Sequence, residues 1–238
     1  MLAAAGGLAW FTLGPGGVSN PAPQSQQGGY EPVAGYGDSC EQFFGLSYRD
    51  DFGSPTAGWI STDRSKVAYD AGALVIRPAA GESVAWLYQP IEYQRGFVCA
   101  KVQSPVAASA VADDSEDGAG VAFWASDANN YYAVVVYRDS HYGVLRRVGG
   151  TTVTLVPKRS SPALKSGNDA LNILQVLYSE PRYAVLINGQ PAVSFDLPTS
   201  AKSGMVGLIA SAGRDKASEW TFSGIAAGSD QPLRKSSQ

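Results

Sequence analysis

Gly118-Ala119-Gly120-Val121-Ala122-Phe123-Trp124-Ala125-Ser126-Asp127-Ala128-Asn129-Asn130-Tyr131-Tyr132-Ala133-Val134-Val135-Val136-Tyr137 is the stretch that decides the fold. Two runs rich in β-branched and aromatic residues flank a short polar connection, which is the composition of adjacent strands joined by a tight loop. A third such run, Tyr142 to Val148, follows after Arg138-Asp139-Ser140-His141 and ends on the turn pair Gly149-Gly150. Three consecutive strands of this kind form a meander at the centre of a sheet.

Outward from this centre, short strands recur at regular spacing. Leu46–Phe52, Lys66–Asp70, Ala73–Arg77, Ser83–Tyr88 and Phe97–Gln103 precede the meander. Thr151–Val156, Ala170–Tyr178, Arg182–Ile187, Ala192–Phe195, Met205–Ser211 and Glu219–Ile225 follow it. That spacing is the signature of an antiparallel sandwich, not of βαβ units. Asn188-Gly189 is the strongest turn signal, because both central positions of a type I′ turn need positive φ. No segment sustains a 3.6-residue period with caps, so helix is expected only as a short turn, near Pro162–Lys165.

The order of several motifs resembles the concanavalin A-like jelly-roll superfamily of exported proteins, including its lectin, glucanase, laminin G-like and 3-keto-disaccharide hydrolase-like members. The resemblance rests on Asp50-Asp51-Phe52, on Gly120, Phe123, Trp124, Asp127, Asn130, Tyr131 and Tyr132, and on Leu164-Lys165-Ser166-Gly167 with Asn172. It continues through Leu186-Ile187-Asn188-Gly189 and Gly204-Met205-Val206-Gly207-Leu208, covering roughly residues 45 to 226. It implies an all-β jelly roll, and such an architecture hosts many activities.

Glycosidases of this architecture use a carboxylate pair about 5.5 Å apart when they retain configuration. The glucanase pattern, Glu-x-Asp-x-x-Glu on a strand, is absent from the chain. The one acidic cluster, Asp113-Asp114-Ser115-Glu116-Asp117, reads as a solvated hairpin tip, with a calcium loop as the alternative. The resemblance implies a second calcium seat at Asp50 and Asp51, but the last strand, Trp220 to Ile225, lacks the matching carboxylate. No metal and no cofactor are expected. His141 reads as a turn residue and not a base, and no Gly-x-Ser-x-Gly elbow occurs.

Surface recognition remains. Strict alternation sets Phe123 and Val134 inward and turns Trp124, Tyr131 and Tyr137 onto the outer sheet face, where lectin-like relatives place sugars. Trp86, Tyr88, Tyr142 and Arg147 would complete the groove. The competing reading is that Ala133 and Val135 mark a face buried by a loop or a protein partner. Three classes stay open: a non-catalytic carbohydrate-binding module, a structural or protein-interaction domain, and a glycoside-acting enzyme.

The 238 residues carry a net charge of −3, too weak to supply the basic field that nucleic acid requires. Residues 1–19 hold an apolar run with the length of a signal-peptide core, too short for a membrane span of about 20 residues. Residues 20–39 read as a Pro/Gln/Gly linker, 40–227 as the sandwich and 228–238 as a tail. The protein is therefore expected to be exported. A Cys40–Cys99 disulfide suits that compartment, while spacing alone leaves two free thiols open. Two cysteines and one histidine are too few for zinc.

Overall fold

The computed structural model describes residues 39–41, 45–91, 95–105, 116–179, 181–197 and 204–228. The segment 1–19, most of the linker, Asp113 to Ser115 and the tail beyond Gly228 lie outside them.

Among the described residues, fifteen strands build two antiparallel sheets packed face to face. One sheet contains β3 (Val67–Asp70), β4 (Ala73–Ile76), β6 (Arg95–Gln103), β11 (Leu171–Ser179), β12 (Arg182–Ile187), β13 (Gln190–Asp196) and β15 (Trp220–Gly228), with β1 (Leu46–Asp50) paired to β15. The other runs in the order β10 (Thr151–Ser160), β9 (His141–Val148), β8 (Asn130–Tyr137), β7 (Gly118–Asp127), β14 (Gly204–Ser211), β5 (Ser83–Ile91), β2 (Ile60–Ser61). The expected meander is thus β7–β8–β9, near the middle of this second sheet. A 3₁₀ turn at Arg64–Lys66, capped by Asp63, is the helical element among the described residues. At Pro162–Lys165 the chain makes only a turn, in which the Leu164 N–H donates to the Ser161 carbonyl at 3.1 Å. Gly228 belongs to β15, where it pairs with Leu46, so the last strand runs one residue past the expected boundary.

The period-2 alternation of each strand sorts its side chains between two layers. Val121, Phe123, Val134, Val136, Tyr142 and Val144 of one sheet meet Val98, Ala100, Leu174, Val176, Tyr183 and Val185 of the other in the main core. Each sheet also carries an apolar cluster on its outer face. On the first sheet this comprises Phe97, Cys99, Ile173, Leu177, Ala184 and Leu186, together with Cys40. On the second it comprises Leu87, Ala122, Tyr131, Ala133, Val135 and Ile209 among others. Both faces of β8 are therefore buried, which is why its sequence is apolar throughout.

Two motifs are explained by the hydrogen bonds they make. The Asn172 side chain, buried at the start of β11, accepts from the Lys165 N–H at 2.9 Å and donates to the Lys165 carbonyl at 2.9 Å. It also accepts from Asn188 Nδ2 at 2.9 Å, and the same amide reaches the Ala163 carbonyl at 2.7 Å. Asn188 holds φ at +51° in the β12–β13 turn while its Oδ1 takes the Ile173 N–H. In the β7–β8 connection, Asp127 accepts from the Asn129 N–H and from Asn130 Nδ2, whose Oδ1 then takes the Gly149 N–H at 2.9 Å. The polar loop clamps two hairpins together.

Cys40 and Cys99 are bridged, with Cα atoms 5.5 Å apart and 59 residues of separation. Closing a loop of that length restricts the unfolded chain by about 4 kcal/mol in the chain-entropy model. Reduced protein should therefore lose about 4 kcal/mol in urea unfolding. A difference under about 1 kcal/mol would mean that the bridge is incidental to stability.

Candidate functional site

The outer face of the second sheet carries a groove of about 550 Å³ that crosses β5, β14, β8, β9 and β10. Its floor follows from sequence. The outward positions of β7 are Gly118, Gly120 and Ala122, so this strand raises no bulky side chain. The larger residues of β8 and β9 stand beside it. A Cβ at Gly120 would fall 1.8 Å from the Val134 carbonyl oxygen, which excludes every residue but glycine there.

Register aligns the groove in rungs. Tyr131, Arg147 and Thr152 are cross-strand neighbours at one end. Ala133, Leu145 and Thr154 form the middle rung. Tyr137, Gly118, Ser211 and Ser83 form the far one. The Lys158 ammonium lies 4.5 Å over the Tyr137 ring and pairs with Asp139. The groove thus combines aromatic and aliphatic surface with hydroxyl groups and two cations, and Glu116 is the one carboxylate among the described residues that line it.

Burial raises the Tyr131 phenol above its ordinary value, and the neighbouring Arg147 guanidinium pulls it partly back. Burial also raises Tyr137, reinforced by the carboxylates of Asp139 and Glu116. Both phenols are neutral hydrogen-bonding groups across the physiological range.

Of the side chains expected on this face, Tyr131, Tyr137 and Arg147 line the groove. Trp124, Trp86, Tyr88 and Tyr142 point the other way, and their placement is corrected. Trp124 sits in a bulge: β7 and β8 pair Phe123 with Tyr132 and then Asp127 with Asn130, so β7 carries two extra residues. With φ at +50° it escapes strict alternation and packs against the main core, edge-on to Tyr178 at 5.1 Å. Trp86 stacks on Trp59 at 5.9 Å and Tyr88 on Tyr48 at 3.6 Å, both on the inner face of β5. Tyr142 is 1% exposed in the core, and its hydroxyl donates to the Ala192 carbonyl at 2.9 Å. Residue identity did not reveal Thr152, Thr154, Lys158 or Ser211 as groove residues. Their signal was positional: Thr152 and Thr154 pair with Arg147 and Leu145, Ser211 pairs with Gly118, and Lys158 lies over Tyr137.

Asp50 and Asp117 have structural roles. Asp50, buried at the end of β1, accepts from the Tyr48 hydroxyl at 2.9 Å, the Trp59 indole at 3.1 Å and the Phe52 N–H at 2.8 Å. Its two oxygens thereby tie β1 to the Phe52 turn and to Trp59. Asp117 was expected at a solvated tip, but it is 7% exposed and accepts from the Trp220 indole at 2.9 Å, with Arg138 beside it. A buried indole N–H needs such an acceptor. His141, expected in a turn, is instead the first residue of β9, paired with Ser160, and its Nδ1 lies 2.9 Å from the Asp139 carbonyl oxygen. Among the described residues no three His, Cys, Asp or Glu side chains cluster as metal ligands, and no helix is long and apolar enough to cross a membrane.

No protein-family model and no curated protein sequence matches the chain. Solved structures do. The chain is similar to the carbohydrate-binding module CBM66 from Bacillus subtilis, with TM-score 0.57 and 11% identity over 72% of this chain and 96% of that one. It is similar to the carbohydrate recognition domain of Emp47p, with TM-score 0.55 and 14% identity over 78% and 97% of the two chains. A laminarinase from Flavobacterium sp. UMI-01 matches with TM-score 0.52 and 10% identity over 77% and 98%. At such identities the likeness is one of fold, and the fold is the concanavalin A-like jelly roll.

Proposed function

We propose that this concanavalin A-like jelly roll is a non-catalytic module of an exported protein, and that it holds a glycan in the groove on the outer face of its second sheet. The observation that carries the reading is the groove itself. Aromatic and aliphatic side chains line its floor, while Ser83, Thr152, Thr154 and Ser211 offer hydroxyl groups at its rims. Sugars present apolar ring faces and polar edges, so a site for them needs both kinds of surface. A carbohydrate-binding module and a carbohydrate recognition domain among the similar structures favour the same reading. Hydrolysis of a glycosidic bond by the common route requires two carboxyl groups across the scissile bond. The described groove lining supplies Glu116 alone, which favours binding without turnover. Export is supported by the Cys40–Cys99 bridge, since disulfides persist in oxidising compartments.

A second reading, a protein-interaction domain, is favoured by the apolar floor at Val135, Leu145 and Ile209. One variant separates them when combined with a glycan array. Thr154 is exposed on β10 and lines the groove. Thr154→Trp should fill the space above Leu145 and change stability by no more than about 0.5 kcal/mol, as exposed substitutions usually do. The parent should retain a glycan on the array, and the variant should bind it at least about tenfold more weakly, a loss of about 1.4 kcal/mol. An array that retains nothing, or a variant that binds as the parent does, would transfer the groove to the protein-interaction reading.

A further inference from the structure

We infer that the groove takes an acidic glycan, with Arg147 holding a carboxylate of the sugar; this rests on the reading of the groove as a glycan site. The inference starts from how other described cations are held, of which Arg64 and Arg159, outside the groove lining, donate to backbone carbonyls. Arg49, Arg77, Arg138 and Arg182 each meet a carboxylate. Lys66 and Lys101 do so as well. Lys158, at the far end of the groove, is balanced by Asp139. Arg146, one residue before Arg147 and on the opposite face of β9, lays its charge 5.2 Å over the Tyr132 ring.

Arg147 differs from all of these. It lines the groove, and no carboxylate of the described residues is in ion-pair contact with it. Its Nε is shielded from solvent and has no hydrogen-bond partner among the described groups. Its neighbour on the rung, the Tyr131 phenol, hydrogen-bonds the guanidinium but is neutral and cannot balance its charge. A buried donor without an acceptor is costly, and a cation in a partly desolvated groove attracts an anion more strongly than one in open water. The planar guanidinium fork matches a carboxylate in two parallel hydrogen bonds. The groove is also polarised along its length. Glu116 stands at the Tyr137 end, close enough to raise that phenol, whereas Arg147 stands at the Tyr131 end. An acidic sugar unit would therefore seat its carboxylate over β9, with uncharged hydroxyl groups toward Ser211 and Ser83.

The test uses the oxidised protein and calorimetric titration with four probes: oligogalacturonates and oligoalginates, methyl-esterified oligogalacturonates, sulfated galacto-oligosaccharides free of uronic acid, and neutral xylo- and gluco-oligosaccharides. The expected result is that one of the carboxylated series binds, and that neutral oligosaccharides bind at least about tenfold more weakly. Where the galacturonates are the ligand, esterification should cost the same factor. Arg147→Gln should weaken the acidic ligand by about 10- to 100-fold, the range for a hydrogen bond to a charged group, while moving the melting temperature by no more than about 3 °C. Rising salt should weaken binding to the parent and affect the variant little. Neutral oligosaccharides that bind as tightly as acidic ones, with Arg147→Gln changing neither, would overturn the inference and leave the glycan reading standing. Preference for the sulfated probe would overturn the carboxylate assignment. Binding of no probe, with Thr154→Trp equally silent, would overturn both readings.

Discussion

Gly207→Val should yield no folded protein, and Gly207→Ala should cost about 3 kcal/mol or more. Gly207 lies in β14, between β5 and β7. A Cβ there would fall 2.2 Å from the Trp86 carbonyl oxygen, 2.8 Å from the Leu87 Cα and 3.0 Å from Leu87 Cδ2. The first two obstacles are backbone atoms of a paired strand, so no rotamer change relieves the clash. Ordinary overpacking costs about 1–3 kcal/mol, and a forced shift of a central strand exceeds it. Set against a typical stability of about 5–15 kcal/mol, a branched side chain takes most of the margin. Gly53→Ala is the control, because its Cβ would meet nothing closer than Asp51 Oδ1 at 3.4 Å. Urea unfolding of the alanine variants decides the matter: a Gly207→Ala protein within about 1 kcal/mol of the parent would show that the sheet gives way more easily than its geometry implies.

Alkaline unfolding should be steep and cooperative. Burial raises the phenols of Tyr48, Tyr69, Tyr131, Tyr137 and Tyr142 above their ordinary value of 10.0. For Tyr48 the hydrogen bond to the Asp50 carboxylate adds to the effect. Ionisation is thus easier in the unfolded chain than in the folded one. Below about pH 10 both states are protonated and the contribution is fully present; as pH rises past that value the unfolded state releases protons first. Stability then falls as pH rises, and each further phenol kept protonated by the fold steepens the fall until its folded value is passed. Tyrosinate absorbance should rise together with the loss of β-sheet circular dichroism. A gradual rise centred near pH 10 in protein that keeps its sheet signal would refute the prediction.

The fold was legible because alternation and turn chemistry agree over most of the chain. Strands such as Arg182–Ile187 and the Asn188-Gly189 turn appear where local pattern places them. The groove was only half legible, for reasons that individual residues make plain. In Ser83–Tyr88, Val84, Trp86 and Tyr88 alternate with Ala85 and Leu87, so both faces are apolar and the period does not say which faces the core. Tyr142 alternates with Gly143, and nothing local tells whether the aromatic or the glycine position points inward. Trp124 was misplaced because β7 carries one residue more than β14 between Ala122 and Ala125, a bulge that shifts parity without leaving a mark in composition. Tyr131 and Arg147 were legible because they lie in unbroken strands and share a rung. The buried role of Asp117 depends on Trp220, 103 residues away, and no local rule could pair them.

The Cys40–Cys99 bond also determines how the module would carry load. Cys40 is fastened to β6, which lies inside the first sheet between β11 and β15. A pull on the chain before Cys40 would enter the domain through a covalent link to that inner strand. The five-residue β1 would be bypassed and could not be peeled from β15 as the first event. Force would instead enter the ladders on both sides of β6. The attachment point is on the outer face of the first sheet and the groove on the outer face of the second. Tension would therefore hold the groove turned away from whatever anchors the upstream chain, so the bond acts as a mooring that sets orientation as well as strength.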